Sequence, residues 1–255
     1  IYRTPSLKMS MLVDDEMALS EHIEEFSQRL VFCVVVLIGA ILLCFADVKE
    51  IVQLFQAPAV GVKFLQFSPG EYFFASVKIA AFCGILVTSP IVLYQILLYL
   101  IPGLTKKERN IVLPVSLGSG LLFIFGLGFS YFFLVPAALK FFIAYGSDVV
   151  EPFWSFEQYF EFILVLLFST GLAFQLPVIQ VVLGALKIFS SRLMFSVWRY
   201  VILASTIIGA ILTPSVDPIT QLFMSSIIMV LYFGGAGIVF LIERSQQNIN
   251  YDNNF

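Results

Sequence analysis

The sequence predicts an all-α, polytopic membrane protein, and three observations carry that reading. Apolar residues make up 60% of the 255-residue chain and charged residues 12%, against roughly half and about a quarter in soluble domains. The mean hydropathy is +0.97, which describes more apolar surface than a soluble core of this length can hide. Distribution is the third: the apolar residues fall into six long stretches, and the charges gather between them.

The first stretch, Leu30 to Ala46, is an uninterrupted apolar run of 17 residues, near the short limit for a hydrocarbon core of about 30 Å. Just before it, Ile23, Phe26 and Leu30 form one helical stripe with Glu24, Glu25 and Arg29 off it, which predicts an amphipathic segment lying at the membrane surface. Residues 71–101 predict a long second helix that tilts, kinks or protrudes, with Pro90 as the kink. Residues 111–135 predict the third span and 158–183 the fourth, with Gln175 and Pro177 inside it. A short fifth span over 200–212 and a sixth over 219–242 flank the turn Thr213-Pro214-Ser215-Val216-Asp217-Pro218, and so tight a connection makes them antiparallel neighbours. The expected organisation is a tail over 1–17, a membrane domain over 18–243, and a polar, Asn-rich, disordered tail over 244–255. The chain opens on Ile1 rather than Met, as a fragment or a processed form would.

Basic residues orient the spans. Arg3, Lys8, Arg29, Lys106, Lys107, Arg109, Lys187, Arg192, Arg199 and Arg244 fall on one side of a six-span arrangement, and only Lys49, Lys63 and Lys140 on the other. Ten against three, with Lys78 left out because it lies within span two, places both termini on the cytoplasmic or stromal side.

The composition also excludes chemistry. His22 is the only histidine, so neither a His-rich metal site nor a Ser-His-Asp triad is expected. There is no phosphate-cradling GxxxxGK[ST] sequence, and the basic residues form no stripe that would hold nucleic acid. The expectation is therefore no enzyme, no metal and no cofactor. Cys33 and Cys44 stand about 16 Å apart along one helix, too far to bridge each other. Together with Cys83 they read as free thiols packed as small apolar side chains.

A few polar residues remain. Glu25 precedes Arg29 by four residues, the spacing of an intrahelical ion pair. Glu108 follows span two, on the same side of the membrane as Glu25. Alone it reads as a charge balancer among Lys106, Lys107 and Arg109; as one of two cofacial carboxylates it would bind a guanidinium in bidentate fashion. Gln175 carries an amide inside span four, and must face a helix, a cavity or a partner rather than lipid. Thr213, Asp217, Thr220 and Gln221 cluster at the tight turn, where Asp217 ahead of Pro218 has the character of a helix cap. Lys78 is expected to snorkel toward Glu71 as its charge partner. Glu157 and Glu161 open span four within an aromatic belt of Trp154, Phe156, Tyr159, Phe160 and Phe162.

At these residues the chain resembles TatC, the multispanning subunit of the twin-arginine protein translocase. The resemblance rests on ordered matches: His22-Ile23-Glu24-Glu25; Ala57-Pro58; Ser89-Pro90-Ile91-Val92-Leu93-Tyr94-Gln95; Pro102 through Arg109; Gln158-Tyr159-Phe160; Gly171 through Pro177; and Leu212 through Gln221. Phe64-Leu65-Gln66, Pro69 through Phe74 and Asp217-Pro218 look most like the chloroplast and cyanobacterial branch. The resemblance implies a receptor for folded precursors with Arg-Arg signal peptides, driven by the protonmotive force. It implies TatA- and TatB-type single-span partners, a homo-oligomeric receptor complex, and a thylakoid membrane, with a cyanobacterial or bacterial inner membrane as the alternative. It assigns signal-peptide binding to Glu25 and Glu108, with Tyr99 and Arg29 beside them, and places Gln175 on a concave membrane face. Thr213, Gln221 and Asp217 become partner contacts, and Pro58 a loop position with structural or functional weight. Ser27 departs from the family pattern, which commonly has an arginine there, so Arg29 is the one cation of this stretch. Two other classes compete: a small-solute or ion secondary transporter with Gln175 and Lys78 lining a midplane site, and an intramembrane hydrolase, for which Ser169 and Thr170 lack an evident base.

Overall fold

The computed structural model describes residues 6–59, 61–100, 106–146, 153–213 and 218–252, and it is 87% helical. Five of its helices are long and apolar enough to cross a membrane, and Trp198–Leu212 is a shorter apolar helix.

Helix α1 spans Ser6–Ala46 without interruption. The expected surface segment and first span are therefore one element, because no Gly or Pro occurs between Ser6 and Ile38 to break it. A short amphipathic α2, Val48–Gln56, turns Val52 and Phe55 inward. Helix α3 runs from Glu71 to Leu100 straight through Pro90.

Helix α4, Lys106–Phe129, passes through a π-helical turn at Ser130–Leu134 into α5, Val135–Gly146. At that turn Val135 N–H bonds the carbonyl of Ser130, five residues back. This widening sits immediately before Pro136, which has no N–H to donate and whose ring crowds an ordinary helical turn. The third helical stretch thereby continues well beyond its expected end at 135.

Helix α6, Phe156–Ala173, and α7, Leu176–Ala185, divide the fourth span at Phe174-Gln175, with Pro177 in the first turn of α7 where its missing N–H is harmless. Helix α7 closes with Ile188 N–H on the Leu183 carbonyl and Lys187 N–H on that of Gly184, each at 3.0 Å. That bonding pattern puts Lys187 at φ 58°, a left-handed position usually taken by glycine. Helix α8 is Ser191–Ser196, and α9, Trp198–Leu212, has 15 residues. At 1.5 Å per residue α9 is about 22 Å long, shorter than the hydrocarbon core. Helix α10, Pro218–Asp252, packs on α9 and α7 and carries helix into the region expected to be a disordered tail. No Gly or Pro after Gly237 stops it.

The α6–α7 span is central: 61% of its most apolar window is buried within the protein, against none of α1's. Phe160, Ile163, Leu164 and Leu166 are fully buried beside Phe123 of α4. At the end of the bundle that carries Glu71, strands β1, Lys63–Leu65, and β2, Phe153–Ser155, form a two-stranded parallel ribbon.

Candidate functional site

Helix α1 lies along α3 in antiparallel register. Near one end Phe26 meets Tyr99, ring centroids 5.4 Å apart. Arg29 donates Nε–H and Nη2–H to Oε1 of Glu25 at 3.0 and 2.7 Å, and Nη1–H to Oε1 of Gln95 at 2.6 Å. The expected i,i+4 pair is thus present, and a third bond from the opposite helix completes it. Glu25 and Arg29 keep 36% and 28% of their side-chain surface exposed, so the pair sits open at a rim.

Glu108 lies in the first turn of α4; its side chain falls outside the described residues. The backbone still locates that turn. Six residue steps from Leu100 to Lys106 reach at most about 22 Å, whereas α3 with its 30 residues is about 45 Å long. The start of α4 is therefore at the Tyr99 end of α3, the same end as Glu25. Tyr99 and Arg29 join Glu25 there, as does Gln95, which the sequence marked only as part of the Ser89 to Gln95 match and without a site role. Its signal was a position one turn before Tyr99, an amide in an otherwise apolar run.

The opposite end holds a separate polar group. Glu71 is 6% exposed. Its Oε2 accepts N–H bonds from Phe67 at 2.6 Å and Ser68 at 3.1 Å, and its Oε1 accepts the Ser155 hydroxyl at 3.2 Å. Lys78 bonds Glu157 and lies 3.9 Å from Glu161. The expected Glu71–Lys78 partnership is corrected: two helical turns, about 10 Å, separate the pair, and Glu71 is already engaged by the turn ahead of its own helix.

Pro58 follows α2, where it denies a backbone N–H to the Leu54 carbonyl. That carbonyl takes the Ala57 N–H instead at 3.3 Å and a second bond from the Tyr131 hydroxyl at 2.8 Å, while the Tyr159 hydroxyl donates to the Phe55 carbonyl at 2.6 Å. Two tyrosine hydroxyls from the helical core thus hold the end of α2, just ahead of Pro58.

Gln175 stands at the break between α6 and α7, 4% exposed. Its Nε2 donates to the Ser119 carbonyl of α4 at 3.3 Å, while Oε1 is buried without a protein partner. Gln180, one of two other amides in this region and missed by sequence reasoning, is buried with neither amide atom bonded. It presses on Gly235 of α10, where an added Cβ would lie 2.0 Å from Oε1 of Gln180. Thr213 ends α9, 6% exposed, with its hydroxyl on the Gly209 carbonyl at 2.9 Å. Gln221 is half-buried in the first turns of α10. Asp217 lies outside the described residues.

Lys78 and Gln175 do not meet. Glu157, the partner of Lys78, stands 18 positions before Gln175 on the same span, about 27 Å along a helix. They cannot line one small-solute site. Among the described residues no group of His, Cys, Asp and Glu is placed to hold a metal, and Cys33, Cys44 and Cys83 are free.

Comparison with known proteins supplies the family. The model of the Sec-independent protein translocase protein (TatC) matches residues 21–226. The uncharacterized tatC-like protein ycf43 of Guillardia theta is 63% identical over 238 residues, 93% of this chain and 82% of its own. The Sec-independent protein translocase protein TatC of Synechocystis is 55% identical over 91% of each chain. The chloroplastic protein of the same name from Pisum sativum is 49% identical over 91% of this chain and 66% of its own. A crystal structure of the twin arginine translocase receptor TatC aligns with a TM-score of 0.75 at 29% identity, over 87% of this chain and 99% of that one. With a family match across most of its length, relatives above half identity and the same helical scaffold, this chain is an integral membrane protein that belongs to the TatC family of Sec-independent protein translocases.

Proposed function

We propose that this chain is the receptor subunit of a twin-arginine translocase, binding Arg-Arg signal peptides at the α1–α3 rim and recruiting single-span TatA- and TatB-type partners. One observation carries the reading: the rim already holds a guanidinium between a carboxylate and an amide, Glu25 and Gln95, beside the Phe26–Tyr99 aromatic pair. A planar guanidinium fits such acceptors where an ammonium does not. Glu108, placed by the backbone at the same end, supplies a second carboxylate for the second arginine.

The remaining assignments follow from that one. The rim lies on the cytoplasmic or stromal side, where the positive-inside bias puts both termini, and the membrane is that of the thylakoid. Thr213, Gln221 and Asp217 at the α9–α10 turn contact the single-span partners, and Gln175, expected from the sequence to line a concave face, is buried against Ser119 of α4 and braces the α6–α7 break behind the face along which the signal peptide's apolar segment lies. The short α9 favours a locally thinned bilayer there. Several copies assemble in the receptor complex, and transport is energised by the protonmotive force.

The test is equilibrium binding of a labelled Arg-Arg signal peptide and its Lys-Lys twin to the full chain in lipid nanodiscs. Tighter binding of the Arg-Arg form, lost in Glu25→Ala with Glu108→Ala, is the expected result. Equal affinity of both peptides, unchanged in the double variant, would remove the recognition claim.

A further inference from the structure

The guanidinium now seated at the rim belongs to the protein itself. Arg29 uses three of its N–H donors there, two on Glu25 Oε1 and one on Gln95 Oε1. These acceptors come from two helices, so the arrangement is more than the i,i+4 pair of an isolated helix. It is also open, with 28% of the Arg29 side chain exposed, and Arg29 sits on a flexible stem that can swing away without any movement of α1. We infer that Arg29 is a resident competitor: it fills the guanidinium seat in the unloaded receptor, an incoming arginine displaces it, and Gln95 together with Glu25 then holds the newcomer. This rests on the proposed receptor function and adds its regulation and one further binding residue.

The physical consequence is a threshold. A competitor tethered in the same molecule lowers the apparent affinity of every ligand that must displace it by one common factor. Discrimination between arginine and lysine stays with the acceptors, since only a guanidinium reproduces the fork. The tethered arginine moves both peptides to weaker binding, and leaves the lysine form too weak to occupy the site.

The experiment is the same peptide titration on the full chain in nanodiscs, now with Arg29→Lys, Arg29→Gln, and Arg29→Gln combined with Gln95→Leu. Arg29→Gln is expected to tighten both peptides by a similar factor, roughly two- to fivefold, the scale of an exposed ion pair. Arg29→Lys, a weaker occupant, should fall between wild type and Arg29→Gln. Adding Gln95→Leu to Arg29→Gln should weaken the Arg-Arg peptide more than the Lys-Lys peptide. If Arg29→Gln instead weakens binding, Arg29 serves to position Glu25 and the competitor role is overturned; unchanged affinity overturns it as well. Both of those results leave the receptor reading standing so long as Glu25→Ala still abolishes the preference for Arg-Arg. Loss of the effect of Glu25→Ala would instead sink the receptor reading. Circular dichroism and a melting curve for each variant separate misfolding from altered affinity.

Discussion

Placing Glu25 and Arg29 opposite Gln95 depends on one seam, and a single glycine tests it. Helix α1 buries none of its most apolar window in the protein, so its position rests on α3. At one close contact between them, a Cβ built on Gly84 would lie 2.5 Å from Cγ1 of Ile41 and 3.0 Å from both its Cα and its backbone nitrogen. The side-chain carbon can rotate aside; the backbone atoms cannot. Restoring ordinary contact at about 3.5–4.0 Å requires α1 to move outward by roughly 0.5–1 Å. Overpacking of this kind costs about 1–3 kcal/mol, and α1 has little other protein contact to share it. Gly84→Val should therefore lower the melting temperature in detergent and raise hydrogen exchange along residues 23–46 in nanodiscs, with α6 unaffected. Gly39→Val is the control on α1 itself, since nothing lies within 4 Å of its Cβ. Unchanged melting and unchanged α1 exchange in Gly84→Val would refute the seam.

Two further outcomes are expected. Gln180→Met exchanges two buried amide atoms that lack partners for an apolar chain of similar length, and should stabilise the protein by about 1–3 kcal/mol; a lower melting temperature would show that the amide is satisfied in the membrane. Glu71→Leu strips the acceptor from the Phe67 and Ser68 N–H groups and from Ser155, and should loosen the ribbon that carries Trp154, shifting its emission to the red in a Trp198→Phe background. Glu71→Gln keeps one oxygen able to take both N–H groups and should restore most of the emission. An unshifted Trp154 in Glu71→Leu would show that the ribbon does not need this carboxylate.

The apolar runs were legible because hydropathy reports what lipid and protein interior both demand. Helix ends were not, because backbone hydrogen bonding continues past the membrane boundary wherever nothing stops it; α1 begins at Ser6 and α10 ends at Asp252. The prolines show a second limit. Pro90 sits within an unbroken helix, Pro136 follows a π turn, and Pro177 opens a new helix after a break. Identical ring chemistry has three outcomes because packing chooses among them. At Pro90 the neighbouring α4 approaches so closely that a Cβ on Gly120 would lie 3.2 Å from the ring.

Charge pairing follows the same division. Glu25 and Arg29 were readable as a pair because four residues on a helix fix their separation whatever else the chain does. Gln95 joins them from 66 residues away and Glu157 reaches Lys78 from 79, and no local rule contains such distances. The seam does contain one, once a single contact is known. Phe26 faces Tyr99, Arg29 faces Gln95 and Ile41 faces Gly84, so the paired residue numbers add to 124 or 125 along the whole interface. Two straight antiparallel helices with equal rise keep that total constant. A cross-helix partner invisible to local patterning therefore becomes predictable along an entire seam from one observed pair: Cys33 should lie opposite Ile91 or Val92, and Val36 opposite Thr88 or Ser89. A cysteine pair placed by this rule should crosslink, and a pair shifted by two residues along α3 should not, since a two-residue step turns a side chain away from the seam.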